Sequence, residues 1–149
     1  YKRLVNDLRH NDMVILGFRP EEKKQYGLLE IQEGRVCKII EWKYWRDYSL
    51  EAQATLTLCN AGIYAVRKEV LERYLPVLSN RPQRVNKRVN GRMTEIEEYF
   101  ITDLVEFMVV DGCRVGYVVC ADEHEPMGVD DPVSLAWAQK VYAAHLNSA

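Results

Sequence analysis

The 149-residue chain predicts an α/β layer architecture containing one antiparallel excursion. Three observations carry this reading. Short apolar runs rich in β-branched residues, such as "MVILGF" at 13–18, alternate along the chain with stretches of helical periodicity such as "KEVLERYLPVL" at 68–78. Two strand-like runs meet at Glu33-Gly34 as a hairpin would. With 48% hydrophobic residues, the chain is long enough for one domain with a substantial core.

Taken in order, Leu4, Val5 and Leu8 stand at helical spacing, so the chain opens in what reads as the second half of a helix. It starts at Tyr1 rather than Met, and a piece of a longer protein is expected. "MVILGF" suits a buried strand that ends at Arg19, Pro20 and a charged loop. "YGLLEIQ" (26–32) and "RVCKIIEWK" (35–43) form the hairpin, and 44–54 is a polar connection. "TLTLCNAGIYAV" (55–66) returns as a long strand, interrupted by Asn60. A helix over 68–78 puts Val70, Leu71, Tyr74 and Leu75 on one face.

The polar stretch 79–97 reads as a long flexible excursion with the character of a lid. Residues 97–112 are expected to be helical, with Phe100, Leu104, Phe107 and Met108 on the apolar face and Gly112 as the stop. A strand at 114–121, a turn-rich loop at 122–132 and a helix opened by Pro132 complete the chain, the helix holding Leu135, Ala138, Val141 and Tyr142.

Composition removes several function classes. A net charge of −2 with 28% charged residues exerts no global pull toward nucleic acid or an anionic membrane, and a cytoplasmic location is expected. No apolar run approaches the roughly 20 residues of a membrane span. Cys37, Cys59, Cys113 and Cys120 form no CxxC pair and have no histidine at zinc-ligand spacing, so reduced thiols are expected. His10, His124 and His145 are scattered, and no Ser or Cys has a nucleophile's setting, so covalent hydrolysis has no support. The basic run of Arg81, Arg84, Lys87, Arg88 and Arg92 lacks the interleaved aromatics of a nucleic-acid platform.

Four short stretches fall where loops meet strand ends, the places where open α/β sheets bind ligands. In Tyr26-Gly27, the glycine lets a ligand approach its backbone N–H; the structural alternative is a hairpin turn. In Glu41-Trp42-Lys43, the carboxylate can accept from adjacent sugar hydroxyls, and a lysine two residues along the same strand can meet a phosphate; the alternative is a solvated ion-pair edge. In Asn60-Ala61-Gly62, an amide within an apolar run must anchor a turn or face a ligand, since leaving it unpaired costs roughly 1–3 kcal/mol. In Gly128-Val129-Asp130-Asp131, Asp131 can cap the final helix while Asp130 offers oxygen to Mg²⁺.

The order of "YG", "IIEWK", "NAGIY", "EYFITD" and "EPMGVDD" over nearly the whole chain resembles the sugar-phosphate nucleotidyltransferase family, most closely the C-terminal half of the N-acetylglucosamine-1-phosphate uridylyltransferase domain. The resemblance implies a Rossmann-like nucleotidyltransferase fold, a mixed sheet flanked by helices with a β-hairpin excursion. Residues 1–149 would be the sugar-binding half, the nucleotide-binding half with its glycine-rich loop lying outside them. It further implies that Tyr26, Gly27, Glu41 and Asn60 line the amino-sugar site, with Lys43 near the sugar phosphate, Thr102 near the sugar pocket and Asp130 as a Mg²⁺ ligand.

Two positions depart from the family pattern. Asp130 stands where an asparagine is usual, adding a negative charge, and Phe100 stands where a second tyrosine is more often found. The implied reaction joins a nucleoside triphosphate, UTP by motif resemblance, to a sugar-1-phosphate with release of pyrophosphate. Homo-oligomers are compatible with it, and no nucleic acid or membrane takes part. No catalytic residue is assigned within this stretch, which alone is expected to be inactive. The alternative is a non-catalytic sugar-nucleotide-binding or regulatory module.

Overall fold

A computed structural model describes residues 2–126, 128–129 and 131–148. Helix α1 (Lys2–Asp7) leads into strand β1 (Met13–Phe18), the hairpin β2 (Leu28–Gln32) and β3 (Arg35–Ile40), and two short helices, α2 (Trp42–Trp45) and α3 (Leu50–Thr55). Strand β4 (Cys59–Val66), helix α4 (Lys68–Ser79), strands β5 (Gln83–Val89) and β6 (Arg92–Glu98), helix α5 (Asp103–Val110), strand β7 (Val115–Val119) and helix α6 (Pro132–Ser148) follow.

Five strands form one mixed sheet in the order β3-β2-β4-β1-β7. β1 runs parallel to β7, with Met13 opposite Val115 and Gly17 opposite Val119, and antiparallel to β4. The all-apolar character of β1 follows from its place inside the sheet, covered on both faces. Met13 and Ile15 point into the larger core beneath Val70, Tyr74 and Leu78 of α4 and Leu104, Val105 and Met108 of α5. Val14, one residue out of phase, points to the opposite face and packs with Leu4 of α1 and Val118 of β7. Each such side chain removed from water contributes roughly 1.5–3 kcal/mol before entropy is counted.

The mixed α/β class and the first hairpin agree with expectation, and several element assignments do not. The stretch 79–97, expected to be a flexible loop, is an antiparallel two-stranded sheet from Gln83↔Glu98 to Val89↔Arg92. Asn90 and Gly91, both at positive φ (50° and 80°), close it as a primed hairpin turn. The helix expected from 97 begins only at Asp103, because Glu97 and Glu98 belong to β6. The connection 44–54 is largely helical, and β4 starts at Cys59 rather than at 55. In α4, Leu78 is buried and Leu75 exposed, which turns the apolar face slightly from the expected one.

Candidate functional site

The ends of β1 and β3 and the starts of β2 and β4 meet over a third apolar cluster of Phe18, Leu28, Ile40, Trp45, Leu56 and Cys59. This floor gathers three of the four short stretches. Trp45 Nε1 donates to the Tyr26 carbonyl at 2.8 Å, and the Tyr26 ring stands edge-on to Phe18 with centroids 4.9 Å apart. Next along the chain, the carbonyl of Gly27 accepts from the backbone N–H of Asn60 at 2.8 Å, stitching the start of β2 to β4.

Gly27 is not a turn glycine. A methyl group in its place would stand 3.1 Å from Ile39 Cγ2 and 3.5 Å from Glu41 Oε2, so the missing side chain leaves room for the Glu41 carboxylate beside the backbone. Gly27 and Glu41 are thereby neighbours.

Asn60 engages its amide locally. Oδ1 accepts the backbone N–H of Gly62 at 3.0 Å, and Nδ2 donates to the Tyr64 hydroxyl at 2.8 Å. Gly62, at φ 71°, makes that turn possible. Between Gly17↔Asn60 and Ile15↔Tyr64 the pairing with β1 slips, so β4 carries an irregularity where its polar residues lie. Burial pushes the Tyr64 phenol above the ordinary range, the Asn60 bond opposes that, and the nearby Glu41 charge adds to it. Tyr64 was not singled out in the sequence; its position four residues after Asn60 becomes informative only once the slip in β4 is known.

Glu41 and Lys43 do not share a strand: Glu41 is the N-cap residue of α2. β3 ends at Ile40, and Lys43 sits in α2, where the helical turn rather than strand alternation sets its direction. It reaches nonetheless into a cleft of about 510 Å³ lined also by Glu41, Gln83, Phe100, Thr102 and Asp103. Its ammonium donates to Gln83 Oε1 at 3.3 Å and lies 4.8 Å and 5.3 Å from the ring centroids of Tyr44 and Phe100. Phe100, which lacks the phenolic hydrogen bond of a tyrosine, presents a ring face to a cation. Thr102 stands at the N-cap of α5 but makes no capping bond, and its hydroxyl is buried without a partner. Gln83 and Asp103 were missed as site residues because their roles depend on the unexpected second hairpin.

Tyr26 lines a different cavity, of about 520 Å³, with Gly128, Asp131 and Trp137. Asp131 caps α6 as expected: its Oδ1 accepts the Ser134 N–H at 2.7 Å and its own N–H donates to Ser134 Oγ at 3.2 Å. Those bonds hold its carboxyl below the ordinary range. Asp130 lies outside the described residues. Among the described residues no cluster of three or more His, Cys, Asp or Glu side chains is arranged to hold a metal, and the Asp131 carboxylate is engaged in capping, so they do not by themselves make a Mg²⁺ site. All four cysteines are free. No helix among the described residues is long and apolar enough to cross a membrane.

No protein-family model matches the chain. Among curated proteins it is similar to the bifunctional protein GlmU of Ruegeria sp. (strain TM1040), 33% identical over 144 residues, covering 97% of this chain and 28% of that protein. GlmU of Sulfurovum sp. (strain NBC37-1) is 35% identical over 131 residues, covering 88% and 26%. The chain thus spans little more than a quarter of the length of the curated relatives it matches. Among solved structures, the nucleoside-diphosphate-sugar pyrophosphorylase from Vibrio cholerae RC9 has the same fold, with a TM-score of 0.58 at 16% identity, over 89% of this chain and 48% of that one.

Proposed function

We propose, for a chain homologous to part of the GlmU proteins, that it is the sugar-facing half of a sugar-1-phosphate nucleotidyltransferase, taking N-acetylglucosamine-1-phosphate with UTP. The observation that carries the proposal is the convergence of Gly27, Glu41 and Asn60 at one end of the sheet, on segments that the family motifs also single out.

In the proposed reaction an oxygen of the sugar-1-phosphate attacks the α-phosphorus of the triphosphate. The bond from that phosphorus to the bridging oxygen breaks, and pyrophosphate departs with the electron pair. Such chemistry asks for alignment and charge neutralisation more than for a protein nucleophile. Glu41 accepts from sugar hydroxyls, and Asn60, its turn already made, offers the second N–H of its amide. Thr102, its buried hydroxyl without a protein partner, lines the cleft in which Lys43 meets the sugar phosphate. Mg²⁺ accompanies triphosphates in this chemistry and neutralises phosphate charge; a ligand role for Asp130 rests on the family resemblance.

The experiment is pyrophosphate release, with Mg²⁺, by the full-length protein across four nucleoside triphosphates and several sugar-1-phosphates. Release with UTP and N-acetylglucosamine-1-phosphate supports the proposal. Release with another pair corrects the substrates, and silence from a folded sample favours a non-catalytic binding module.

A further inference from the structure

Gln83 bridges Lys43 and Asp103. The cleft is lined by four carboxylates, Glu41, Asp47, Asp103 and Glu106, yet among the described residues none lies within ion-pair distance of Lys43 Nζ. Glu106 is taken up by Lys38 at 3.0 Å. Asp103 is taken up by Gln83, whose Nε2 donates to its Oδ2 at 2.7 Å while Oε1 accepts from Lys43 at 3.3 Å. A side-chain amide is the neutral group that can serve both, with its nitrogen toward the acid and its oxygen toward the ammonium. A carboxylate at this position would cancel the lysine's charge and repel Asp103; an aliphatic side chain would release both. Close by, Thr102 lines the same cleft, its hydroxyl buried and unpaired.

We infer that Gln83 is a positioning residue that holds Lys43 with its charge uncancelled for a phosphate monoester bound in this cleft, which makes the second hairpin part of the substrate site. The inference rests on the proposed role of Lys43. Gln83 itself opens β5, so the hairpin's root fixes the lysine while its remaining length forms a separate sheet.

The test is an NMR titration of the full-length protein with inorganic phosphate and with N-acetylglucosamine-1-phosphate, following the Thr102 methyl and the Lys43 side chain. The wild type should give saturable shifts. Lys43→Met and Gln83→Glu should weaken binding about tenfold, the ratio that one charge-assisted hydrogen bond carries. Gln83→Met, which removes both bonds without adding charge, should weaken it by a smaller factor and serves if Gln83→Glu fails to fold. Wild-type affinity in either Gln83 variant, or no saturable shift in the wild type, overturns the inference. Phosphate binding alongside silence in the pyrophosphate assay would leave Gln83's role standing and remove the nucleotidyltransferase reading instead.

Discussion

The carboxylate of Glu41 lies against the bare backbone of Gly27, 3.5 Å from where a methyl group on that glycine would stand. The same methyl would press on Ile39 Cγ2 at 3.1 Å, closer than ordinary packing. Gly27→Ala is therefore expected to cost about 1 kcal/mol of stability through overpacking and to displace the Glu41 carboxylate. Urea unfolding checks the first effect. In the full-length protein, a KM for sugar phosphate raised severalfold, with the KM for triphosphate unchanged, checks the second.

Asn60 holds a turn whatever else it does. Loss of its bonds to Gly62 and Tyr64 in Asn60→Ala should cost about 1–2 kcal/mol. Tyr64→Phe removes one of those bonds and should cost about half as much. If Asn60 also contacts the sugar, Asn60→Ala will impair substrate use beyond Tyr64→Phe at matched stability. Equal kinetics in the two variants would confine Asn60 to the turn.

The second hairpin should unfold without the rest. β5 and β6 form a sheet of their own, closed by Asn90 and Gly91 in left-handed backbone that a β-branched residue adopts at high cost. Gly91→Val should accelerate amide exchange through residues 84–97 while leaving the melting temperature of the five-stranded sheet within about 2 °C.

Stability should fall at alkaline pH, in part through Cys59. Complete burial raises its thiol from the ordinary 9.0 to about 11. Below pH 9 both folded and unfolded chains keep the proton. Between pH 9 and 11 the unfolded chain loses it first, so this contribution to stability disappears as pH rises, by about 2 kcal/mol. Tyr74, raised by burial and by its bonds to Cys113 and Asp111, adds a loss of the same sign above pH 10. Urea midpoints at pH 8 and 11 should differ less in Cys59→Ala than in the wild type.

How much was legible depended on whether a residue's partners were local. Met13–Phe18 could be read as a strand because it is covered on both faces and therefore uniformly apolar. Asp131 could be read as a cap because Ser134 lies three residues away. The second hairpin was overlooked because its strands are polar and largely exposed, and the density of Arg and Asn outweighed the Asn90-Gly91 pair that signals its turn. Lys43 was not legible as a helical residue, since alternation along β3 stops at Ile40 and α2 sets its direction. Gln83, forty residues from Lys43, and Asp103, twenty residues beyond Gln83, meet only in the folded chain.

The most direct test of the proposed function is the steady-state kinetics of Glu41→Ala in the full-length protein, with UTP and N-acetylglucosamine-1-phosphate varied separately. Loss of a carboxylate bonded to sugar hydroxyls should raise the KM for the sugar phosphate at least about tenfold and leave the KM for UTP within about twofold. An unchanged KM for the sugar phosphate would contradict the placement of the sugar beside Glu41 and, with it, the account of this site.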